Sequence, residues 1–172
     1  NMLVIFGLVT DATKGVSFGA IDPSIPKMII PRLNGFPTII LWAIAAIVIV
    51  WFIWNKTTFG KNLYAVGGNP EAASVSGISV FWVTMGAFIL AGILYGFGSW
   101  LECARMVGSG SAAYGQGWEM DAIAACVVGG VSFTGGIGKI SGVVVGVLIF
   151  TVLIYSLTIL GIDTNLQFVF EG

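Results

Sequence analysis

Glu119 and Asp121 stand together just before a long apolar run, the one place where two acids could act as general acid and base inside a membrane. On a helix, residues two apart point to different faces, so the pair does not converge on a single reacting atom. The sequence contains no histidine. That removes the usual general base, histidine metal sites and the serine-histidine pair. Cys103, beside a charged boundary, and Cys126, within an apolar run, have neither metal-ligand spacing nor the makings of a disulfide framework. Both are read as reduced and structural, and no metal site is expected. The first turn of a helix welcomes negative charge, so the favoured role of Glu119 and Asp121 is capping at an interface, ahead of any contact with a substrate.

Three stretches imitate binding motifs and fail on inspection. Gly138-Lys139 suggests a phosphate-binding loop, but Phe133 stands where its first glycine belongs and Ile140 where Ser or Thr is needed. Gly108-Ser-Gly110-Ser-Ala-Ala113 imitates a dinucleotide fingerprint, yet an apolar span precedes it and no strand does. Asn55-Lys56-Thr57 has the form of a glycosylation sequon but lies against a membrane boundary. The chain is therefore expected to bind no cofactor of its own.

What remains is recognition. The phrase GGNPEAASVSGIS, residues 67–79, is built of turn formers, small side chains and one acid. Asn69 is placed to cap a helix, Pro70 takes its first position, Glu71 faces the positive end of the dipole and Gly77 ends it. Ala72, Ala73 and Ser76 leave a thin surface against which another body can press. By local chemistry alone, an ordinary capped helix lying on a membrane surface explains the phrase equally well.

The elements that position this phrase are membrane spans. The sequence has 57% hydrophobic and 9% charged residues and a net charge of −1, with a mean hydropathy of +1.00, well outside the soluble range. That charge offers no basic face to nucleic acid. Residues 36–55, FPTIILWAIAAIVIVWFIWN, carry no charge. At roughly 1.5 Å per residue they cross a hydrocarbon layer of about 30 Å. Trp51, Trp54 and Lys56 form an interfacial anchor at the exit. Residues 80–101 make a second crossing, with Gly92 and Gly96 at close-packing spacing. The run from Ala122 to Ile162 is about twice what one crossing needs, and glycines gather at its centre. It must break. The arm AIAACVVGGV covers only about half a bilayer, and residues 140–162 cross after it. Unpaired backbone at such a break cannot face lipid. Gly129, Gly130, Ser132 and Thr134 are therefore candidates for a translocation pathway. Gly138, Gly142 and Gly146 form a small-residue stripe, suited to packing within the chain or, secondarily, to a dimer contact.

The segments between crossings are less informative. Residues 1–35 comprise the end of a cut helix and an outer loop, residues 56–79 a loop between crossings, and residues 102–121 an outer or re-entering segment. Residues 163–172 begin a further apolar stretch, so the sequence is expected to be part of a larger membrane protein. Charge does not fix orientation. The 56–79 side holds Lys56 and Lys61 and the opposite side Lys14, Lys27, Arg32 and Arg105, against the positive-inside bias for a cytoplasmic 56–79 loop. Residues 122–138 either complete a discontinuous crossing, which is preferred, or re-enter and return to the outer face.

EAASVSG, Glu71 to Gly77, resembles the EAA-then-glycine signature of the permease subunits of binding-protein-dependent ABC importers. FGKNLYAVGGNPEAASVSGI, residues 59–78, resembles the cytoplasmic loop of the sugar-permease branch that includes ribose, xylose and galactose systems. WEMDAIAACVVGGVSFTGGIGKISGVVVGVLIF, residues 118–150, is similar to that branch's second signature. DAIAACVVGGVSF and WNKTTFGKN look most like its galactose-transporting members. The resemblance implies an all-α, polytopic transmembrane helical bundle, present here in part, with a short cytoplasmic coupling helix and one glycine-broken helix. It implies an ATP-binding subunit in the cytoplasm, a periplasmic sugar-binding protein, a second permease chain in a homodimer, and a monosaccharide cargo such as galactose or a methyl-galactoside. ATP would be used by the partner subunit. The coupling role would fall on Asn69, Glu71, Ala72, Ala73 and Gly77. Such permeases have about ten crossings, far more than appear here, and residues 1–35 match the branch poorly. The rival readings are a passive channel and an intramembrane enzyme, neither of which gives the capped loop helix a use.

Overall fold

The computed structural model describes residues 2–16, 24–29, 31–33, 36–106, 110, 114, 115 and 117–161. Among them the chain is helical apart from one minimal strand pair. Helices α1 (Met2–Thr13), α2 (Ser24–Ile29), α3 (Ile39–Lys56), α4 (Thr58–Gly68), α5 (Pro70–Val75), α6 (Val80–Arg105), α7 (Trp118–Val128) and α8 (Ile140–Ile159) follow in order. Strands β1 (Arg32–Leu33) and β2 (Phe36–Pro37) pair antiparallel between α2 and α3. They are a small addition to the all-helical expectation. The expected loop and helix start over 163–172 lie outside the described residues.

Among the described residues, three helices are long and apolar enough to cross a bilayer: α3 with 18 residues, α6 with 26 and α8 with 20. At about 1.5 Å per residue these are roughly 27, 39 and 30 Å long. α3 is apolar all round and has no buried residue, the pattern of a helix whose surroundings are lipid or other apolar helices rather than water. α7 begins at Trp118, four residues ahead of the arm read from the sequence, because Glu119 and Asp121 belong to its first turn. Gly117, with φ 89°, opens it and no side chain caps it.

The chain divides into two compact units. The first comprises Asn1–Val48 and Gly86–Gln116. Within it Trp42 of α3 meets Phe97 and Trp100 of α6 edge-on, with ring centroids 6.0 and 6.2 Å apart, so the first part of α3 lies against the last part of α6. Where α6 ends, Arg105 Nε donates to Glu102 Oε2 at 2.9 Å and Arg105 Nη2 to the Tyr114 hydroxyl at 3.0 Å. The second unit comprises Ile49–Met85 and Gly117–Gly172 and holds every candidate site residue. In it Lys56 Nζ lies 5.7 Å from the centroid of the Trp51 ring, the aromatic and basic anchor expected at that end of α3.

Candidate functional site

The second unit begins with a tight corner between α3 and α4. Thr57 Oγ1 donates to the Ile53 carbonyl at 2.6 Å and accepts from Gly60 N at 3.3 Å, so one side chain closes α3 and caps α4. A Cβ on Gly60 would lie 2.0 Å from the Trp54 carbonyl oxygen, which leaves glycine as the residue that fits. At the other end of α4, Asn69 also does two jobs. Its N–H donates to Ala65 O at 3.1 Å, ending α4, and its Oδ1 accepts from Ala72 N at 3.0 Å, starting α5. No linker separates the two helices.

α5 ends where Gly77 adopts φ 81°. Gly77 N donates to Ser74 O at 3.0 Å and Ile78 N to Ala73 O at 3.0 Å, the paired bonds of a Schellman stop. Glu71, Ala72 and Ser76 are exposed, and Val75 is 90% exposed. Ala73 is different: at 4% exposure it is buried within the chain. The surface α5 offers therefore includes Glu71, Ala72, Ser74, Val75 and Ser76, and Ala73 does not belong to it. Sequence reasoning missed Val75, because its exposure depends on how α5 is turned and nothing local in the sequence signals it. Gly77 has a backbone role, because its φ rather than any nearby atom selects glycine.

The glycine-rich break lies beside this loop. α7 stops by the same device as α5: Gly130 takes φ 81°, Gly130 N donates to Val127 O at 2.8 Å, and Val131 N to Cys126 O at 3.0 Å. A turn follows, in which Ser132 N donates to Ile137 O at 3.0 Å and Gly135 N to Ser132 O at 3.2 Å. The hydroxyls of Ser132 and Thr134 bond each other at 2.8 Å. The Tyr64 hydroxyl of α4 then donates to the Gly138 carbonyl at 2.5 Å. Two glycine pairs meet beside it: a Cβ on Gly67 would be 2.8 Å from Gly136 N, one on Gly135 2.4 Å from Gly67 O, and one on Gly136 2.6 Å from Gly68 Cα. An open cavity of about 590 Å³ adjoins the contact, with Trp51, Asn55, Tyr64, Gly138, Lys139 and Ser141 among its walls.

α7 folds back along α8. A Cβ on Gly142 would be 2.2 Å from Gly129 O, and one on Gly146 2.2 Å from Ala125 O, so the two backbones are in van der Waals contact. This pairing fixes depth. Gly129 meets Gly142 and Ala125 meets Gly146, so the helices are antiparallel, and one further turn places Asp121 near the level of Phe150, about 15 Å along α8. The first turn of α7 thus lies about halfway along a crossing, not at an interface as its acids alone suggested. Conversely, Gly129, Gly130, Ser132 and Thr134 lie where α8 starts, beside α4, and not at mid-depth. Gly142 and Gly146 pack within the chain. Gly138 precedes α8 and leaves the stripe, where a Cβ on it would meet the Val131 side chain at 3.3 Å.

Apolar helices long enough to cross, a capped loop between two of them and a half-length helix folded onto the third define a polytopic helical membrane protein. The chain belongs to the family described as "Branched-chain amino acid transport system / permease component", whose pattern matches residues 2–172. It is a multi-pass protein of the bacterial inner membrane. It is 56% identical to the galactose/methyl galactoside import permease protein of Treponema pallidum (strain Nichols), over 100% of this chain and 34% of that one. Against the protein of the same name in Escherichia coli (strain K12) it is 51% identical, over 78% of this chain and 40% of the other. The L-arabinose transport system permease protein of Escherichia coli (strain K12) is 36% identical over 100% of this chain and 52% of its own length. The chain thus spans between a third and about half of the length of these relatives. No solved structure matches it.

Proposed function

We propose that the chain carries the coupling half of a permease that imports a monosaccharide, with galactose or a methyl-galactoside as the cargo. The observation that carries this reading is α5, a rigidly capped helix at the end of a crossing that turns Glu71, Ala72, Val75 and Ser76 outward. A short helix of that kind, with one acid and otherwise small side chains, fits a groove on another protein. In an ABC importer that protein is a cytoplasmic ATP-binding subunit. ATP is bound and hydrolysed there, and this chain binds no cofactor or metal.

Sugar is preferred over the amino acids of the family description because relatives at 36–56% identity are named for galactose and L-arabinose. A neutral cargo also requires no charged site. The further partners are a periplasmic sugar-binding protein, a second copy of the permease chain and the surrounding lipid, with no nucleic acid. The break touches α4, so both lie on one side of the membrane, and this favours a discontinuous crossing over a return to the opposite face. In this arrangement Gly129, Gly130, Ser132 and Thr134 hold backbone in place rather than contact sugar. A passive channel would give α5 no partner.

Glu71→Lys tests the proposal in the assembled transporter. The variant chain is expected to insert normally and its ATPase subunit to hydrolyse ATP, while sugar uptake falls roughly tenfold or more as an attractive charge contact turns repulsive. Uptake at the wild-type rate would contradict the assignment of α5.

A further inference from the structure

The contact between α4 and the glycine turn points to a function beyond packing. We propose that Tyr64, Gly67 and Gly68 of α4, together with Gly135, Gly136 and Gly138, form the joint through which displacement of α5 reaches the start of α8. The proposal rests on the reading of α5 as the ATPase contact.

Its first support is the absence of slack along the chain. Asn69 is at once the C-cap of α4 and the N-cap of α5, so a push on α5 is delivered to α4 without an intervening loop. The second is the nature of the contact itself. Gly67 and Gly68 meet Gly135 and Gly136 backbone to backbone, with no side chain between them that could change rotamer and absorb the movement. The third is where the contact lies. Gly138, whose carbonyl accepts from Tyr64 at 2.5 Å, is two residues before Ile140, the first residue of α8. The turn is also closed internally by the Ser132–Ile137 bond, so it is carried as a unit. Because Gly129 and Ala125 are in turn locked against Gly142 and Gly146, α7 follows α8, and its first turn halfway along the crossing moves with them. A push at the loop thus becomes a shift at mid-depth.

Tyr64→Phe keeps the ring and deletes one hydrogen bond, while Gly67→Ala forces the two backbones apart. Both are made in the full-length permease assembled with its ATPase subunits and reconstituted with the binding protein. The ratio of ATP hydrolysed to sugar imported is expected to rise roughly three- to tenfold in Tyr64→Phe, the change that loss of one hydrogen bond supports, with the ATPase subunit still co-purifying. An unchanged ratio in Tyr64→Phe would overturn the proposal. A second measurement is independent of uptake. Spin labels replacing the exposed residues Lys61, on α4, and Phe133, on the turn, should report one separation in nucleotide-free and ATP-trapped transporter. A separation that changes with nucleotide would show the joint opening and would also overturn it. Failure of the α5 reading looks different, as wild-type uptake in Glu71→Lys whatever the label pair reports.

Discussion

Single residues in this chain carry precise backbone duties. Asn69 ends one helix and begins the next with its main chain and its side chain respectively, so replacing the side chain removes the α5 cap and leaves the backbone bond that ends α4. Asn69→Ala is expected to cost about 1 kcal/mol at the α5 cap and to lower the thermal midpoint of the purified transporter, whereas Asn69→Asp, which keeps the acceptor, should stay close to wild type. Gly77 and Gly130 hold φ of 81° at two Schellman stops, and Gly77→Ala should cost about 1–2 kcal/mol by the left-handed strain of an L residue. Its neighbour in the signature, Ala73, acts by being small and buried. The cap, the proline and the stop of α5 were legible in the sequence, because each depends on neighbours within four residues. The burial of Ala73 and the exposure of Val75 were not, since they depend on how α5 is turned against the rest of the chain.

At the scale of elements, the three crossings were legible from length and hydropathy, and the break from its glycines. What the glycines meet was hidden. Gly67 and Gly135 lie far apart in the chain, and no periodicity encodes their contact, nor the hydrogen bond from Tyr64 to Gly138. For the same reason the acids of α7 read as interfacial: their depth follows from the antiparallel register of α7 on α8, which only the contacts of Gly142 and Gly146 reveal. That register makes a prediction. Gly146→Leu inserts a side chain where a Cβ alone would lie 2.2 Å from Ala125 O, so it should destabilise the permease by about 1–3 kcal/mol or more through overpacking. Thermal unfolding in detergent should show this equally at high and low protein concentration. A loss confined to dimer assembly, with an unaltered midpoint for the monomer, would instead assign the stripe to the partner chain.

For the molecule as a whole, the account depends on which face of the membrane α4 and α5 occupy. Charge gives no help, because Lys56 and Lys61 on the loop side are outnumbered by Lys14, Lys27, Arg32 and Arg105. The contact from Tyr64 to Gly138 adds Lys139 to the loop side, which narrows the imbalance without removing it. Sided chemical labelling decides the matter. Val75 is 90% exposed, and Val75→Cys in a permease whose native cysteines, Cys103 and Cys126 among them, are replaced by serine gives a single reporter on α5. A membrane-impermeant thiol reagent should modify it in inside-out vesicles, more slowly once the ATPase subunit is bound, and should leave it untouched in right-side-out vesicles. Modification from the outer face would place α5 where no ATP-driven subunit can reach it, and would contradict the account.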